Sequence, residues 1–276
     1  MNPREVLIVG PPRSGTTLCA RLLGGRPQTL CLSEPHLCWA IMAPWQLNRF
    51  FHDFQKSAGL HRRHPPTRAD VERFARFLRQ MARDNDFDCL IIKETYRRHG
   101  LTPTWHNEPV LDQLVARRLP AIALLRHPCD VAASTINLCR WVTGWRGRLL
   151  RLRHPAFCTF RNATAVVRWA ADNWTCYVSW ARRHGLTIIR YEDIVADPRR
   201  HIQTICQTCH LDFSESMLDT HQPRMALGGI GDMPTLLKPR PVDQAFIGRG
   251  DQMSPHHRQI VRDACEAVAR DFDYTC

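Results

Sequence analysis

Long uncharged stretches are missing from this 276-residue chain. No apolar run approaches the ~18 residues that a membrane-spanning helix needs, which argues against an integral membrane protein. An export signal is missing too. Met1 to Glu5 lead into a short apolar segment ending at Gly10, too brief for a signal-peptide core and with no small-residue cleavage site behind it. A cytoplasmic protein is the resulting expectation. No Ser/Gly-rich linker interrupts the sequence and no segment repeats, so nothing divides it into modules. Lysine is nearly absent: Lys56, Lys93 and Lys238 are the only three among 38 basic residues.

What is present describes a folded protein. A content of 44% hydrophobic and 23% charged residues excludes low-complexity disorder and collagen-like repeats, and the length supplies a sizeable core. The formal net charge is +12, carried almost entirely by arginine. Arginine offers a planar fork suited to phosphate and sulfate. A GC-rich genome accounts for part of such a bias; the excess still favours an anionic partner, whether nucleic acid, a membrane surface or a highly charged cofactor. The twelve cysteines are spread mostly singly, as buried reduced thiols are, rather than as a disulfide framework.

Apolar periodicity outlines the elements. Glu5 to Val9 is a short buried strand, and Ser14 to Leu23 has helical spacing. Thr29 to Leu32 is a second short strand. Thr67 to Asn85 is an amphipathic helix with Thr67 or Asp70 near its cap. Phe87 to Ile92, Ala121 to Leu125 and Leu186 to Ile189 are further strands, and Ala163 to His184 is a long helix stopped by Gly185. A last helix runs from about Pro255 to Asp271, and the Arg- and Trp-rich stretch 141–161 reads as an inserted basic loop or short helix. Strands alternating with helices predict one α/β domain over residues 1–276, a central parallel sheet flanked by helices.

The segment Val9 to Leu18 carries the strongest signal. A strand feeds a turn containing Gly10, Arg13, Ser14 and Gly15, and the turn opens a helix at Thr16 and Thr17. Backbone N–H groups and the helix dipole then converge on one point, which suits an oxyanion. Gly10 and Gly15 have the spacing of a nucleoside-triphosphate loop, but Thr16 stands where that loop requires lysine. ATP or GTP hydrolysis is therefore disfavoured, and a nucleotide or metabolite kinase with an atypical loop is the alternative reading.

Pro12 to Leu18 resembles the 5′-phosphosulfate loop of the sulfotransferases that use 3′-phosphoadenosine 5′-phosphosulfate (PAPS). Leu124 to Ser134 is similar to that family's 3′-phosphate motif, with Arg126 at a strand end and Ser134 eight residues on. Pro128 suits a first helical position and Asp130 a first turn; His127 and Asp130 read as residues that cap and orient this turn. Arg190 to Pro198 resembles a segment whose tyrosine, here Tyr191, lies near the adenine. Phe246 to Ser254 resembles the closing C-terminal loop, with Arg249 as a nucleotide contact, although Gly250 replaces the usual tryptophan. The resemblance implies a nucleotide-binding fold of the P-loop-containing type, PAPS as sulfuryl donor, adenosine 3′,5′-bisphosphate (PAP) as product and no metal. It also implies an acceptor hydroxyl or amine on a small molecule, carbohydrate or peptide.

Sulfuryl transfer needs a base. The cytosolic small-molecule branch has a Lys-x-His pair after a later strand; here Lys93, Glu94 and Thr95 stand there, so threonine replaces the histidine. Relatives of the tyrosylprotein and heparan type place a glutamate after the first helix, where this chain has Glu34. Leu32, Pro35, Leu37 and Trp39 surround it in sequence and predict a partly desolvated carboxylate, a better proton acceptor. Glu34 is thus the expected base, with simple helix capping as its bland alternative and Glu94 as the runner-up. Lys93 is expected to contact the transferred sulfuryl group and Arg13 the leaving phosphate. Cys206 to His210 matches a haem-attachment pattern and half a zinc site, but no second ligand pair follows at suitable spacing. No nucleic-acid-binding motif accompanies the basic stretches, which read as solvated faces.

Overall fold

Five of the apolar runs become strands, and the four that precede the last are buried on both faces almost throughout. The structure is a computed structural model that describes residues 2–66, 70–98, 107–143, 162–219, 225–226 and 242–276. The strands are β1 (Arg4–Gly10), β2 (Thr29–Ser33), β3 (Cys89–Thr95), β4 (Ala121–Leu125) and β5 (Thr187–Arg190), with β6 (Met225–Ala226) as a two-residue edge. They form one sheet in the order β5-β4-β1-β3-β2-β6, and every described pairing is parallel. Residues alternate between two cores. Leu7, Val9, Leu32, Ile92 and Leu125 face one side; Val6, Ile8, Cys31, Ile91 and Leu124 face the other.

Helices cover both sides, as a parallel sheet requires. Helix α1 (Thr16–Gly24) packs Cys19, Ala20, Leu22 and Leu23 on the second core, joined there by α8 (Tyr191–Ala196) and α9 (Pro198–Thr208). The first core holds α2 (Pro35–Ile41), α3 (Pro44–Ser57), α4 (Val71–Arg83), α5 (Glu108–Ala116), α6 (Pro128–Thr143), α7 (Ala163–Arg183) and α10 (Pro255–Ala269). The chain leaves β1 toward β2 on one side and returns through β3 to β4 on the other. The switch point between β1 and β4 opens a crevice at the carboxyl ends of the strands, where ligands of such sheets bind.

Several boundaries differ from the sequence expectation. Helix α4 starts at Val71, with the Asp70 side chain accepting the Arg73 amide; Thr67 lies outside the described residues. β3 runs through Lys93, Glu94 and Thr95, beyond the apolar run that predicted it, because fixed partners meet these polar side chains at the strand's end. Of the basic stretch 141–161, the first three residues finish α6 and 144–161 lie outside the described residues. Helix α10 ends at Ala269, and a 3₁₀ turn carries on to Phe272.

One helix braces the crevice from below. Two aromatic residues of α7, one turn apart, donate to the ends of the central strands: Trp174 Nε1 to the carbonyl of Arg126 at 2.8 Å, and the Tyr177 hydroxyl to the carbonyl of Val9 at 2.8 Å. Both side chains are fully buried. Tyr177→Phe removes one such bond with little change of shape. Its expected cost is about 1 kcal/mol of unfolding free energy, read from urea denaturation. An unchanged midpoint would show that the bond is energetically silent.

Candidate active site

The turn after β1 has the geometry that suits an anion. The Ser14 hydroxyl and amide both donate to the carbonyl of Pro11, at 2.7 and 3.2 Å, which folds the turn back on itself. Arg13 (φ 72°) and Gly15 (φ 88°) take left-handed backbone, and α1 follows at once. Among the described residues no side chain caps α1, and no acidic residue sits in its first turn. Its N-terminal amides and dipole are thus directed into the crevice. Thr16 and Thr17 lie in that first turn, both buried. Gly15 is doubly constrained, since a Cβ there would lie 2.3 Å from Tyr191 Cδ2. The Tyr191 ring closes the turn from the α8 side, and burial raises its phenol above the ordinary value while Arg126 beside it pulls the other way.

The Arg126–Ser134 segment meets this turn. Arg126, at the end of β4, donates from Nη1 to the carbonyl of Arg13 at 3.2 Å, and its guanidinium lies 4.7 Å from the centre of the Tyr191 ring. Its Nη2 reaches Asp130 Oδ2 at 3.4 Å and the carbonyl of Phe246. Arg13 Nε donates to Ser134 Oγ at 3.0 Å. Four residues singled out in separate motifs, Arg13, Arg126, Ser134 and Tyr191, therefore stand around one crevice.

Asp130 acts on the C-terminal loop, where a cap for its own turn was expected. Its carboxylate accepts the amides of Gly248 (3.0 Å) and Gly250 (2.7 Å), pinning the C-terminal loop to α6. A Cβ at Gly250 would lie 2.4 Å from Cys129 Cβ, so tryptophan cannot occupy this position in the observed packing. His127 accompanies it: its amide donates to Glu192 at 2.9 Å and its ring bonds the carbonyl of Thr275 at 2.9 Å. Arg249 stands apart from the cluster. Its guanidinium lies 4.1 Å from the centre of the Phe246 ring and its Nε points to the Ala245 carbonyl; no described contact joins it to Arg13 or Arg126.

The third component lies one strand over. Parallel register sets Thr95 beside Gly10 and Lys93 beside both Ile8 and Ser33, so the end of β3 and the anion turn share one edge. Lys93 Nζ donates to Glu34 Oε1 at 2.7 Å and the Thr95 hydroxyl donates to the same oxygen at 3.0 Å. Arg97 Nη2 stands 4.0 Å from Glu34 Oε2. All four side chains are buried. The expectation of apolar surroundings for Glu34 is corrected: the residues apolar in sequence turn into the core, while two cations and a hydroxyl from β3 and the segment after it surround the carboxylate. Glu34 does occupy the cap position of α2, yet among the described residues its side chain makes no capping bond. Glu94, on the opposite face of β3, caps that helix by accepting the amides of His36 (2.7 Å) and Leu37 (3.3 Å).

Some of these residues were legible and unread. Lys93, Thr95 and Arg97 follow one another at the two-residue spacing that groups side chains on one face of extended backbone, a pattern that sets Arg97 with Lys93 and Thr95. Asn107 and Asn173 carry no such signal. They hold the segment after β3 through the backbone of Thr95, Tyr96, Arg97 and Arg98.

Comparison with known proteins agrees with this geometry. The family model described as the sulfotransferase family matches residues 3–215, and the chain belongs to that family. It is an enzyme that transfers sulfuryl groups, and the kinase alternative is set aside. No curated protein matches the sequence. Among solved structures, the sulfotransferase domain of the Synechococcus PCC 7002 olefin synthase is 22% identical, with a TM-score of 0.57 over 100% of this chain and 96% of that one. The sulfotransferase domain from the curacin biosynthetic pathway is 18% identical, with a TM-score of 0.57 over 99% and 98%. Mouse sulfotransferase SULT7A1, complexed with PAP, is 14% identical, with a TM-score of 0.54 over 98% and 87%. These likenesses establish the shared fold.

Gly15→Ala tests the anion turn. It adds a methyl group where Tyr191 already packs and places it on left-handed backbone. Inorganic sulfate, or any oxyanion probe of the turn, is expected to bind at least about tenfold more weakly, an effect of about 1.4 kcal/mol or more. Wild-type affinity by calorimetric titration would mean that the turn does not form the anion site.

Proposed function

We propose that the sulfuryl donor is PAPS, that the acceptor is a hydroxyl carried by a small molecule, sugar or peptide, and that Glu34 is the general base. The observation that carries the donor assignment is the convergence of Arg13 with the Arg126–Ser134 pair on a single crevice. Two cationic elements at one sheet edge match a nucleotide bearing anionic groups on both its 5′ and 3′ sides. The mouse relative complexed with PAP supports the same class of ligand. No metal enters this reading. Among the described residues, no helix is long and apolar enough to cross a membrane. We place the enzyme in the cytoplasm, a compartment that fits cysteines spread mostly singly along the chain rather than arranged as a disulfide framework.

The chemistry divides among this chain's own groups. Arg13 and the amides of the first turn of α1 receive the negative charge that builds on the leaving phosphate. Arg126 and Ser134 hold the 3′-phosphate, and the Tyr191 ring offers an apolar face beside the base. Lys93 steadies the sulfuryl oxygens. Glu34 takes the proton of the acceptor hydroxyl as its oxygen attacks in line with the leaving group. Glu34 accepts from both Lys93 and Thr95, as an ionised carboxylate does. This gives it the role that glutamate has in the tyrosylprotein- and heparan-type branch. Arg249 stacks on Phe246, whose carbonyl Arg126 holds, and we assign it to the nucleotide through this closing C-terminal loop.

Two measurements test the assignment. Arg126→Ala should weaken adenosine 3′,5′-bisphosphate by roughly 10- to 150-fold, the equivalent of about 1.5–3 kcal/mol for a charge-assisted contact, and far more than it weakens the 5′-monophosphate. Equal weakening of both nucleotides would assign Arg126 to the fold alone. Glu34→Gln should lower kcat by roughly 10²–10⁴-fold in sulfate transfer from labelled PAPS, with bisphosphate affinity unchanged. Near wild-type turnover in that variant would remove Glu34 from the base role.

A further inference from the structure

The first turn of α2 can be accounted for bond by bond. The Glu34 amide donates to the carbonyl of Lys93 at 2.5 Å, Pro35 has no N–H, and the Cys38 amide donates to the carbonyl of Glu34 at 2.9 Å. The amides of His36 and Leu37 remain. A capping side chain ordinarily accepts one of these two, and Glu34 stands at the capping residue. It is turned the other way, toward Lys93 and Thr95. Glu94 accepts both amides instead, and its Oε1 also lies 3.2 Å from His36 Nδ1. Glu94 and His36 are completely buried, and the His36 ring is wedged edge-on against Phe74 at 5.2 Å. Glu34 itself sits on left-handed backbone at φ 55°, a conformation that a non-glycine residue keeps only when its surroundings enforce it.

We propose that Glu94 is the positioning residue for Glu34. By taking over the capping of α2, it releases the Glu34 carboxylate from its local role. By anchoring His36 and Leu37, it holds the left-handed turn that aims this carboxylate at Lys93. The two glutamates lie on opposite sides of β3 and have exchanged the jobs their positions suggest. This inference rests on the reading of Glu34 as base, and it makes Glu94 essential for rate without contact with the reacting atoms.

Glu94→Gln leaves one acceptor where two are needed and presents an amide donor to the helix end. The expected result is a fall in kcat of about 10²-fold, as for a displaced catalytic group, with the KM for PAPS and the affinity for adenosine 3′,5′-bisphosphate unchanged. The double variant Glu34→Gln/Glu94→Gln should be no slower than Glu34→Gln alone, because Glu94 acts only through Glu34. His36→Leu keeps both backbone amides and removes the ring donor; a fall of about tenfold in kcat is expected, with His36→Asn restoring most of it. This pair decides the matter if Glu94→Gln does not fold. Wild-type kcat in Glu94→Gln or in His36→Leu, or multiplicative losses in the double variant, would overturn the inference. A fully active Glu34→Gln beside a dead Glu94→Gln would instead overturn the base assignment itself and put Glu94 in the chemistry.

Discussion

A single buried guanidinium joins the parts of this molecule that matter for its chemistry. Arg126 touches the anion turn through the carbonyl of Arg13, helix α6 through Asp130, the C-terminal loop through the carbonyl of Phe246, and α8 through the face of Tyr191. Its own carbonyl is held by Trp174 from beneath the sheet. A guanidinium suits this place because its planar fork makes several bonds in fixed directions while remaining charged. Lysine, with one ammonium group on a flexible stem, could not join four segments in this way. The scarcity of lysine in the chain thus has a local meaning at this position, whatever produced the arginine bias elsewhere.

The sheet supplies the second organising constraint. A parallel strand delivers alternate side chains to opposite cores, so the last residues of β3 must divide between them. Lys93 and Thr95 go to one face and meet Glu34; Glu94 goes to the other and meets the start of α2. A one-residue slip of this strand would exchange the two sets and destroy both arrangements at once. The register with β1, which puts Thr95 beside Gly10, is therefore as much a part of the site as any side chain.

Much of this was readable from the residues. The anion turn and the Arg126–Ser134 segment stand out because their chemistry is local: each is a strand, a turn and a helix start, with the key residues within a dozen positions. The surroundings of Glu34 were misjudged for the opposite reason. Its sequence neighbours are apolar and point into the core, whereas Lys93 comes from β3 and Arg97 from the segment after it, about sixty residues away, which no local pattern brings near. The capping of α2 shows the same blindness: a Glu before Pro35 looks like the cap, and only the tertiary fold reveals that Glu94 holds the position. The loop that carries Arg249 was less legible: Asp130 pins it through the amides of Gly248 and Gly250, and Gly250 lies against Cys129, contacts that no local pattern announces.

Two of the residues at the site, Arg13 and Glu34, share a backbone feature whose effect reaches beyond chemistry. Both are non-glycine residues with left-handed φ, of 72° and 55°, and such a residue costs the fold about 1–2 kcal/mol relative to glycine-like freedom. Glu34 also takes part in a buried charge cluster, which hydrophobic residues of similar volume often match or exceed in stability. The crevice is therefore one of the places where a search for greater thermal stability would find its easiest gains. Glycine at residues 13 or 34, or an apolar set replacing Glu34 and Lys93 together, would relax the backbone and the desolvated charges. Laboratory selection for heat resistance alone would push the enzyme toward a sturdier and inert protein, so stabilisation must be sought at the helix surfaces and loops away from this edge.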